Sequence, residues 1–222
     1  MRFCAPAVRA AAIGALALSR VALAGESEQV PNPTRHRASA ALALGSWSDA
    51  GDLQSPLPGS FDDTALGLDL GGHFGLIDLG PARLMLGGDL GYLGFDSSVR
   101  GIEEGEDLVV TMLRVTPSLR LAFGTPGRFQ AFVGAGAGWY AAAIEEYEDA
   151  WFGDVFEYYD DDAFGAYLSV DADVPVNEAI RITAGLKAHF VDFAAVATPV
   201  ATGPLDGPIY QLQLGVAFGF GR

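Results

Sequence analysis

The sequence predicts an all-β protein, an eight-stranded antiparallel transmembrane up-and-down β-barrel. Three observations indicate this fold. Large apolar residues alternate with small or polar ones along eight stretches. The connections between these stretches are alternately short and long. Beyond the first two dozen residues, no apolar run is long enough for a membrane-spanning helix, although half of the 222 residues are hydrophobic and only 18% are charged. The apolar residues are therefore spread over one face of many strands.

The first 24 residues have the features of a signal peptide. Arg2 and Arg9 give a positively charged start, and an apolar stretch follows. Residues 22–24, Ala-Leu-Ala, match the small-x-small pattern of a cleavage site. We therefore expect export across the inner membrane, with cleavage after Ala24.

The rest of the chain divides into a short leading segment and one domain. Residues 25–36 are polar and contain prolines, which indicates a periplasmic N-terminal segment, and residues 37–222 carry the alternation of the barrel. Cys4 lies in the predicted leader, so we expect neither disulfides nor thiolate chemistry after cleavage. The formal net charge of -15 argues against nucleic acid as a partner, because phosphates need a basic surface.

The alternation is clearest in the last stretch of the chain. Tyr210, Leu212 and Leu214 share one face there, while Gln211 and Gln213 share the other. A large apolar face opposite a small or polar face is typical of a strand between lipid and a barrel lumen. Each stretch is near the roughly 9 to 11 residues that a tilted strand needs to cross the hydrocarbon. The eight predicted strands are Arg37 to Trp47, Thr64 to Ile77, Ala82 to Phe95, Leu108 to Phe123, Phe129 to Tyr140, Phe164 to Val174, Ala179 to Phe190 and Ile209 to Phe220.

The connections between these strands alternate in length. Tight links rich in turn formers occupy residues 78–81, 124–128 and 175–178. Long polar links occupy residues 48–63, 96–106, 142–162 and 194–207. Short periplasmic turns and long external loops are the expected asymmetry of an outer-membrane barrel, so both termini are predicted on the periplasmic side.

Aromatic residues gather near the ends of the predicted strands, where they would form two belts at the lipid headgroups. The predicted outer belt contains Trp47, Tyr92, Trp139 and Tyr210, and the inner belt contains Phe74, Phe123, Phe129, Phe218 and Phe220. The alternative is that aromatic residues simply favour strands at any position.

The even strand count, the glycine-rich segment FVGAGAGWY and the alternating terminal strand resemble the small eight-stranded outer-membrane proteins, including the OmpA-, OmpX- and OmpW-type barrels and the opacity-like proteins. The resemblance covers Arg37 to Phe220 as a pattern. It implies an outer-membrane location, lipids as neighbours and assembly by the barrel insertion machinery. Two features depart from the pattern: Gly221 and Arg222 follow the terminal aromatic, and Pro117 interrupts a strand, where we expect a bulge or tilt.

The predicted inward rows carry charged residues of both signs in nearly equal number. An unpaired charge in a narrow barrel would cost several kcal/mol, so we expect acids and bases to pair in two stacked layers that plug the lumen. The inward glycines leave a second hypothesis open, a gated narrow path for water or small ions. The predicted lumen network comprises Asp69, Arg83, Asp89, Arg114, Arg120, Asp171, Asp173, Arg181 and Lys187, with His73 and His189 on the same rows.

The third long link has the most unusual composition, because acidic residues surround aromatic ones without a basic residue. One interpretation is a solvated loop that its like charges keep extended. The other is a surface that binds a cationic or cation-bridged partner, with aromatic anchors. No calcium-loop spacing is present, and we predict no metal site. The candidate residues are Glu145, Glu146, Glu148, Asp149, Asp154, Glu157, Asp160, Asp161 and Asp162.

The sequence offers no catalytic set and no cofactor motif. His36 lies in the leading segment, and the other two histidines face the predicted lumen, so no serine and histidine meet on a lipid-facing row. We therefore predict a non-enzymatic outer-membrane protein that serves envelope integrity or surface interaction, with its surface partner unidentified. A narrow channel or transporter for small or hydrophobic solutes is the alternative. A soluble exported β-barrel or sandwich is the third possibility. Its large apolar rows would face inward and its charged rows would face water.

Overall fold

The fold is known from a computed structural model. It describes residues 36–47, 50, 53–56, 59–97, 108–124, 128–147 and 155–220, and only the backbone of residues 96, 97, 146, 147 and 155–158. The predicted signal peptide and nearly all of the predicted periplasmic segment lie outside these residues. Within this part of the chain, no helix is long and apolar enough to cross a membrane.

Eight long strands close into a barrel, as predicted, and each is antiparallel to its two neighbours. The order around the barrel is β1-β10-β7-β6-β5-β4-β3-β2, and the short β8 and β9 form a separate pair. The strands are β1 (His36–Trp47), β2 (Phe61–Leu79), β3 (Ala82–Ser97), β4 (Leu108–Gly124), β5 (Gln130–Tyr147), β6 (Val155–Pro175), β7 (Ile180–Phe190), β8 (Val196–Ala197), β9 (Thr202–Gly203) and β10 (Pro208–Phe220).

The register of the pairs sets the tilt of the strands. Starting at Arg37, the paired positions lead once around the barrel and return to β1 at Trp47, ten positions further along. The path runs through His73, Gly87, Ser118, Gly136, Tyr167, His189 and Ile209. A stagger of this kind requires the strands to tilt by about 35–45° to the barrel axis. Eight such strands enclose a lumen just wide enough for side chains to fill.

The inward and outward rows follow the predicted alternation. Leu66 is 73% exposed on the outer face, while its neighbour Ala65 is buried. Tyr92, Trp139 and Tyr210 are exposed on the outer face, as expected for a belt. The prediction for Trp47 was wrong, because its side chain is fully buried and packs against Phe95 inside the barrel.

The link predicted at residues 142–162 is largely strand. β5 continues to Tyr147, and β6 already begins at Val155. The inward side chains of Ala142 and Ile144 are buried, so packing inside the barrel continues along these parts of the strands. We call the projecting parts of β5 and β6, residues 140–147 and 155–163, the acidic extension.

Pro117 does not cause the expected bulge. The pairing of β4 with β5 is interrupted at Thr116 and Pro117 and resumes at Ser118 in the same register. Gly138 on β5 lets the two strands come close here, because a Cβ at that position would contact the Thr116 backbone and the proline ring. The register shifts instead in the β2–β3 pair and near the end of β5.

Apolar side chains fill the end of the lumen that carries the long connections, here called the loop end; the opposite end is the turn end. Two loops, which include residues 50 and 53–56 and residues 191–206, fold over this opening and join through an antiparallel bridge between Gln54 and Thr202. The loop-end core comprises Ala43, Trp47, Ala50, Leu53, Phe61, Ala65, Leu93, Phe95, Leu108, Val110, Met112, Tyr140, Ala142, Ile144, Val191, Phe193, Val196, Val200, Ala201, Leu205 and Ile209.

Candidate functional site

The structure places all nine residues of the predicted lumen network inside the barrel, each buried. Six of them form an alternating line of acids and bases, here called the charge chain. Its order is Arg114, Asp69, Lys187, Asp89, Arg120 and Asp171. The chain joins the two predicted layers into one network.

Lys187 and Arg120 are the links between the acids. The Lys187 Nζ lies 2.9 Å from an Asp69 oxygen and 3.3 Å from an Asp89 oxygen. One nitrogen of the Arg120 guanidinium donates to Asp89 and another to Asp171, both at 2.8 Å. Each base thus forms ion pairs with two acids on different strands. Loss of one acid would leave its bases buried with too little negative charge.

Asp89 is the most heavily bonded member of the charge chain. Besides its two bases, it accepts hydrogen bonds from the hydroxyls of Ser118 and Tyr167. The Tyr167 ring also lies 5.0 Å from the ammonium of Lys187, a cation–π distance. Tyr167 therefore supports both ends of the same ion pair.

A second ionic group closes the turn end of the lumen. Arg37 donates two hydrogen bonds of 3.0 Å to Asp173, in a bidentate geometry, and a third to Thr183. Its guanidinium also lies 4.8 Å from the ring centre of Phe132. Arg181 lies 3.8 Å from Asp173. The sequence prediction missed Arg37, although it occupies the same inward row of β1 as Ser39 and Ala41.

Arg83 differs from the other predicted members. It is buried, yet its ion pair is with Asp78, whose side chain is half-exposed at the β2–β3 turn. The pair fastens this hairpin at the turn end rather than extending the charge chain.

Hydrogen bonds connect the charge chain to the loop-end core. Tyr140 lies 3.1 Å from His189 Nδ1, and His189 Nε2 lies 3.0 Å from the Gln211 side-chain oxygen. The Gln211 amide nitrogen donates to Asp69. Because that amide oxygen accepts, Nε2 carries the imidazole proton and Nδ1 accepts from the tyrosine. Polar groups at the border between the two regions are therefore paired.

A serine, a histidine and an aspartate meet in the lumen, although the sequence analysis found no such set on the lipid-facing rows. His73 Nε2 is 2.8 Å from Ser118 Oγ, and that hydroxyl donates to Asp89. A catalytic triad needs the carboxylate on Nδ1, opposite the serine. Here Asp89 lies on the serine's side of the ring, 3.8 Å from Nε2, and His73 Nδ1 has no hydrogen-bond partner among the described residues. The arrangement belongs to the ionic packing of the lumen.

The acidic candidates fall into separate environments. Asp160 and Asp162 point outward, and Asp162 accepts a hydrogen bond of 3.2 Å from the Trp139 ring nitrogen. Asp161 accepts from the backbone N–H of Ala194 at 2.7 Å. The hydroxyl of Tyr159 donates to the backbone carbonyl of Ala194 at 2.7 Å. These two bonds attach loop 191–206 to β6.

The remaining acidic candidates have less structural description. Glu145 lies near the end of β5, at a register shift. Only the backbone is described for Glu146 and Glu157, and Glu148, Asp149 and Asp154 lie outside the described residues. In the part of the chain that the structure describes, no group of three or more His, Asp and Glu side chains has an arrangement that could hold a metal ion.

A family model for the outer membrane protein beta-barrel domain matches residues 9–220. The chain belongs to this family. The outer-membrane β-barrel is thereby confirmed, whereas export by a signal peptide stays a prediction. In barrels of this class the long loops face the exterior, so we expect the loop end to be the outer end.

The chain is similar to solved outer-membrane structures at low sequence identity. OprG of Pseudomonas aeruginosa has the same fold: it is 15% identical, with a TM-score of 0.52, and the match covers 87% of this chain and 99% of that chain. Neisserial surface protein A is 13% identical, with a TM-score of 0.48 and coverage of 83% and 97%. Ail, the attachment invasion locus protein of Yersinia pestis, in complex with sucrose octasulfate, is 11% identical, with a TM-score of 0.49 and coverage of 84% and 99%. No curated protein sequence matches the chain.

Proposed function

We propose that this protein is a closed, non-enzymatic outer-membrane barrel that displays the acidic extension and its neighbouring loops for envelope integrity or surface interaction. The filled lumen carries this proposal. Its middle and turn end hold the charge chain and the cluster around Arg37, and its outer end holds the loop-end core. Eight strands enclose only enough room for side chains, and these charged and apolar groups occupy that room.

The outer end supports a display role. The strands β4 to β6 stay paired beyond Trp139, up to the pair of Leu108 with Glu146. This paired sheet holds outward carboxylates, including those of Asp160 and Asp162, at fixed positions above the membrane. A surface that is held by strands loses little conformational freedom when it binds a partner.

Planar-bilayer recording tests the closed lumen. Purified protein whose gel mobility changes on boiling is inserted into bilayers at neutral pH, beside a porin as the positive control. We expect no current steps, because the interior ion pairs and apolar packing exclude a continuous water path. Reproducible steps from the folded protein would instead establish the channel function and remove this proposal.

A complementation experiment tests the display role. Cells that lack the protein are measured for dye permeability of the envelope and for attachment to a charged surface. They are then complemented with the wild type or with Asp160→Asn/Asp162→Asn. We expect the double variant to restore the permeability barrier but only part of the attachment, since the wall is intact and the surface charge is lower. A deletion with neither defect would contradict the proposal.

A further inference from the structure

A groove of about 370 Å³ opens on the outer, lipid-facing side of the wall near the loop end. We call it the rim groove. Leu44, Leu66 and Val109 give it apolar walls, Gly94 leaves its space open, and Asp62 and Thr64 line its upper part. It is more than twice the size of the roughly 150 Å³ cavities that accommodate benzene in engineered proteins.

The register explains why a groove exists here. Leu44 pairs with Leu66, and Leu66 pairs with Gly94, so a row of bulky outward side chains ends at a residue without one. A Cβ at Gly94 would find its nearest neighbour, the Tyr92 hydroxyl, at 3.4 Å, so space lies outside the backbone. Directly above, β2 leaves its ladder with β3 between Phe61 and Ala65. The register shift and the missing side chain therefore lie next to each other at this part of the wall.

The upper rim of the groove carries the carboxylate of Asp62, which has no ion-pair partner among the described residues. Asp62 is exposed, and no basic side chain in the described part of the chain forms an ion pair with it. Hydrogen bonds from the backbone N–H and hydroxyl of Thr64 to one carboxylate oxygen lower the pKa of Asp62, so the group is anionic at neutral pH. The neighbouring Asp63 is also exposed.

We propose that the rim groove binds an amphiphile with one alkyl chain and a cationic headgroup, with the chain against Leu44 and Leu66 and the headgroup beside Asp62. The chain covers the two leucines, which are 51% and 73% exposed. An anionic headgroup would face the carboxylate of Asp62, so charge selects against it.

The height of the groove fits this orientation. Tyr92 and Tyr210 on the neighbouring strands β3 and β10 are exposed at the outer end of the apolar rows, the level at which aromatic belts meet lipid headgroups. Asp62 lies four residues beyond Leu66 along β2, toward the loop end. An alkyl chain among the leucines therefore begins at the level of the aromatic belt, and its headgroup beside Asp62 lies on the water side of that belt.

Methyl NMR of the barrel in phosphatidylcholine nanodiscs tests the proposal. The sample is titrated with dodecyltrimethylammonium, and separate samples receive dodecanoate or dodecyl maltoside. We expect saturable shifts of the Leu44, Leu66 and Val109 methyls with the cationic probe, and much weaker binding of the anionic one. The methyls of Leu168 and Leu186, on the lipid faces of β6 and β7, should move only with general partitioning into the disc.

Matched variants separate the groove from its charge. Gly94→Leu fills the groove and should weaken binding of the cationic probe about tenfold or more. Gly72→Leu, at an outward glycine with open space around it, should leave that binding unchanged. Asp62→Asn should reduce the preference for the cationic over the neutral probe by about two- to fivefold. Asp192→Asn is its exposed control.

Three results would overturn the proposal. Equal shifts with all three probes would mean a general acyl-chain groove without charge selection. Shifts that grow with protein concentration alone would mean that a second copy covers the groove. Identical titrations of the wild type and Gly94→Leu would mean that the probe does not enter the groove at all.

Discussion

The two regions of the lumen are filled by opposite chemistry. In the charge chain, a few long side chains meet at defined distances. The single carboxylate of Asp89 contacts Arg120, Lys187 and two hydroxyls. In the loop-end core, many apolar side chains share the space, and several come from the loops rather than the strands. The ionic region depends on particular partners, whereas the apolar region depends on total volume and on the loops staying in place.

The largest expected effect comes from breaking the charge chain at its centre. Asp89→Asn leaves Arg120 and Lys187 with less negative charge than they need, and it should lower the free energy of unfolding by about 3–5 kcal/mol. Urea unfolding in lipid vesicles, followed by gel mobility without boiling, measures the loss. Asp192→Asn, on an exposed loop, should stay within about 0.5 kcal/mol. Equal losses of unfolding free energy in the two variants would refute the stabilising role of the charge chain.

Removing volume from the loop-end core should have the next largest effect. Leu93 is buried, and its methyl groups lie over the positions of Gly45 and Gly67. Leu93→Ala should cost about 3 kcal/mol because the rigid wall cannot close the cavity. Hydrogen exchange should also speed up in loop 191–206, and Asp89→Asn should not cause this change.

A volume-conserving substitution sharpens that result. Leu93→Met should cost less than about 1.5 kcal/mol, since a flexible side chain of similar size can refill the space. If Leu93→Met is as damaging as Leu93→Ala, shape rather than volume governs the loop-end core, and the contrast with the charge chain disappears.

A smaller effect is expected where loop 191–206 is attached to the acidic extension. Tyr159→Phe removes the hydroxyl that donates to the carbonyl of Ala194, which should cost about 0.5–1 kcal/mol. The loss should appear as faster exchange in that loop, with the barrel strands unchanged. Tyr210→Phe, on the exposed outer belt, is the matched control and should leave the loop as it is.

The smallest effect concerns pH. Partial burial, together with the nearby negative charge of Asp161, raises the pKa of Tyr159 to about 12. A raised pKa means that folding favours the protonated hydroxyl, so its contribution is intact below about pH 10 and is lost as the pH rises toward 12. The absorbance difference between the wild type and Tyr159→Phe should therefore titrate near pH 12; a midpoint near 10 would show that the hydroxyl is solvated.

The sequence predicted the strands and the charge chain because both leave a pattern with a period of two. A charged residue in an inward row, such as Lys187, has only the lumen to enter, so its burial follows from the strand phase. Arg37 was missed although the same rule applies to it, since it is the first residue of its predicted strand and is buried in the inward row of β1. The partners were not predictable, since contacts such as Lys187 with Asp69 depend on the stagger around the whole barrel.

The loop-end core was not predicted. Its inward residues are as apolar as the outward ones, so alternation of polarity disappears where Leu108, Val110 and Met112 occupy the inward row of β4. Trp47 was assigned to a lipid belt because an aromatic residue at a strand end can occupy either the lipid face or the lumen face. The acidic composition of the third link likewise concealed the continuing strands β5 and β6.

The acidic extension has one more consequence, for the edge of the sheet. β6 pairs with β7 only from Ala166 onward, so in the described chain residues 155–165 pair with β5 alone. An unpaired edge offers its backbone to any other extended chain, including the same edge of a second copy. Asp160, Asp161 and Asp162 lie along it, and alignment of two such edges would bring carboxylates together. The negative charge thus lets a sheet stand above the membrane without becoming a template for aggregation.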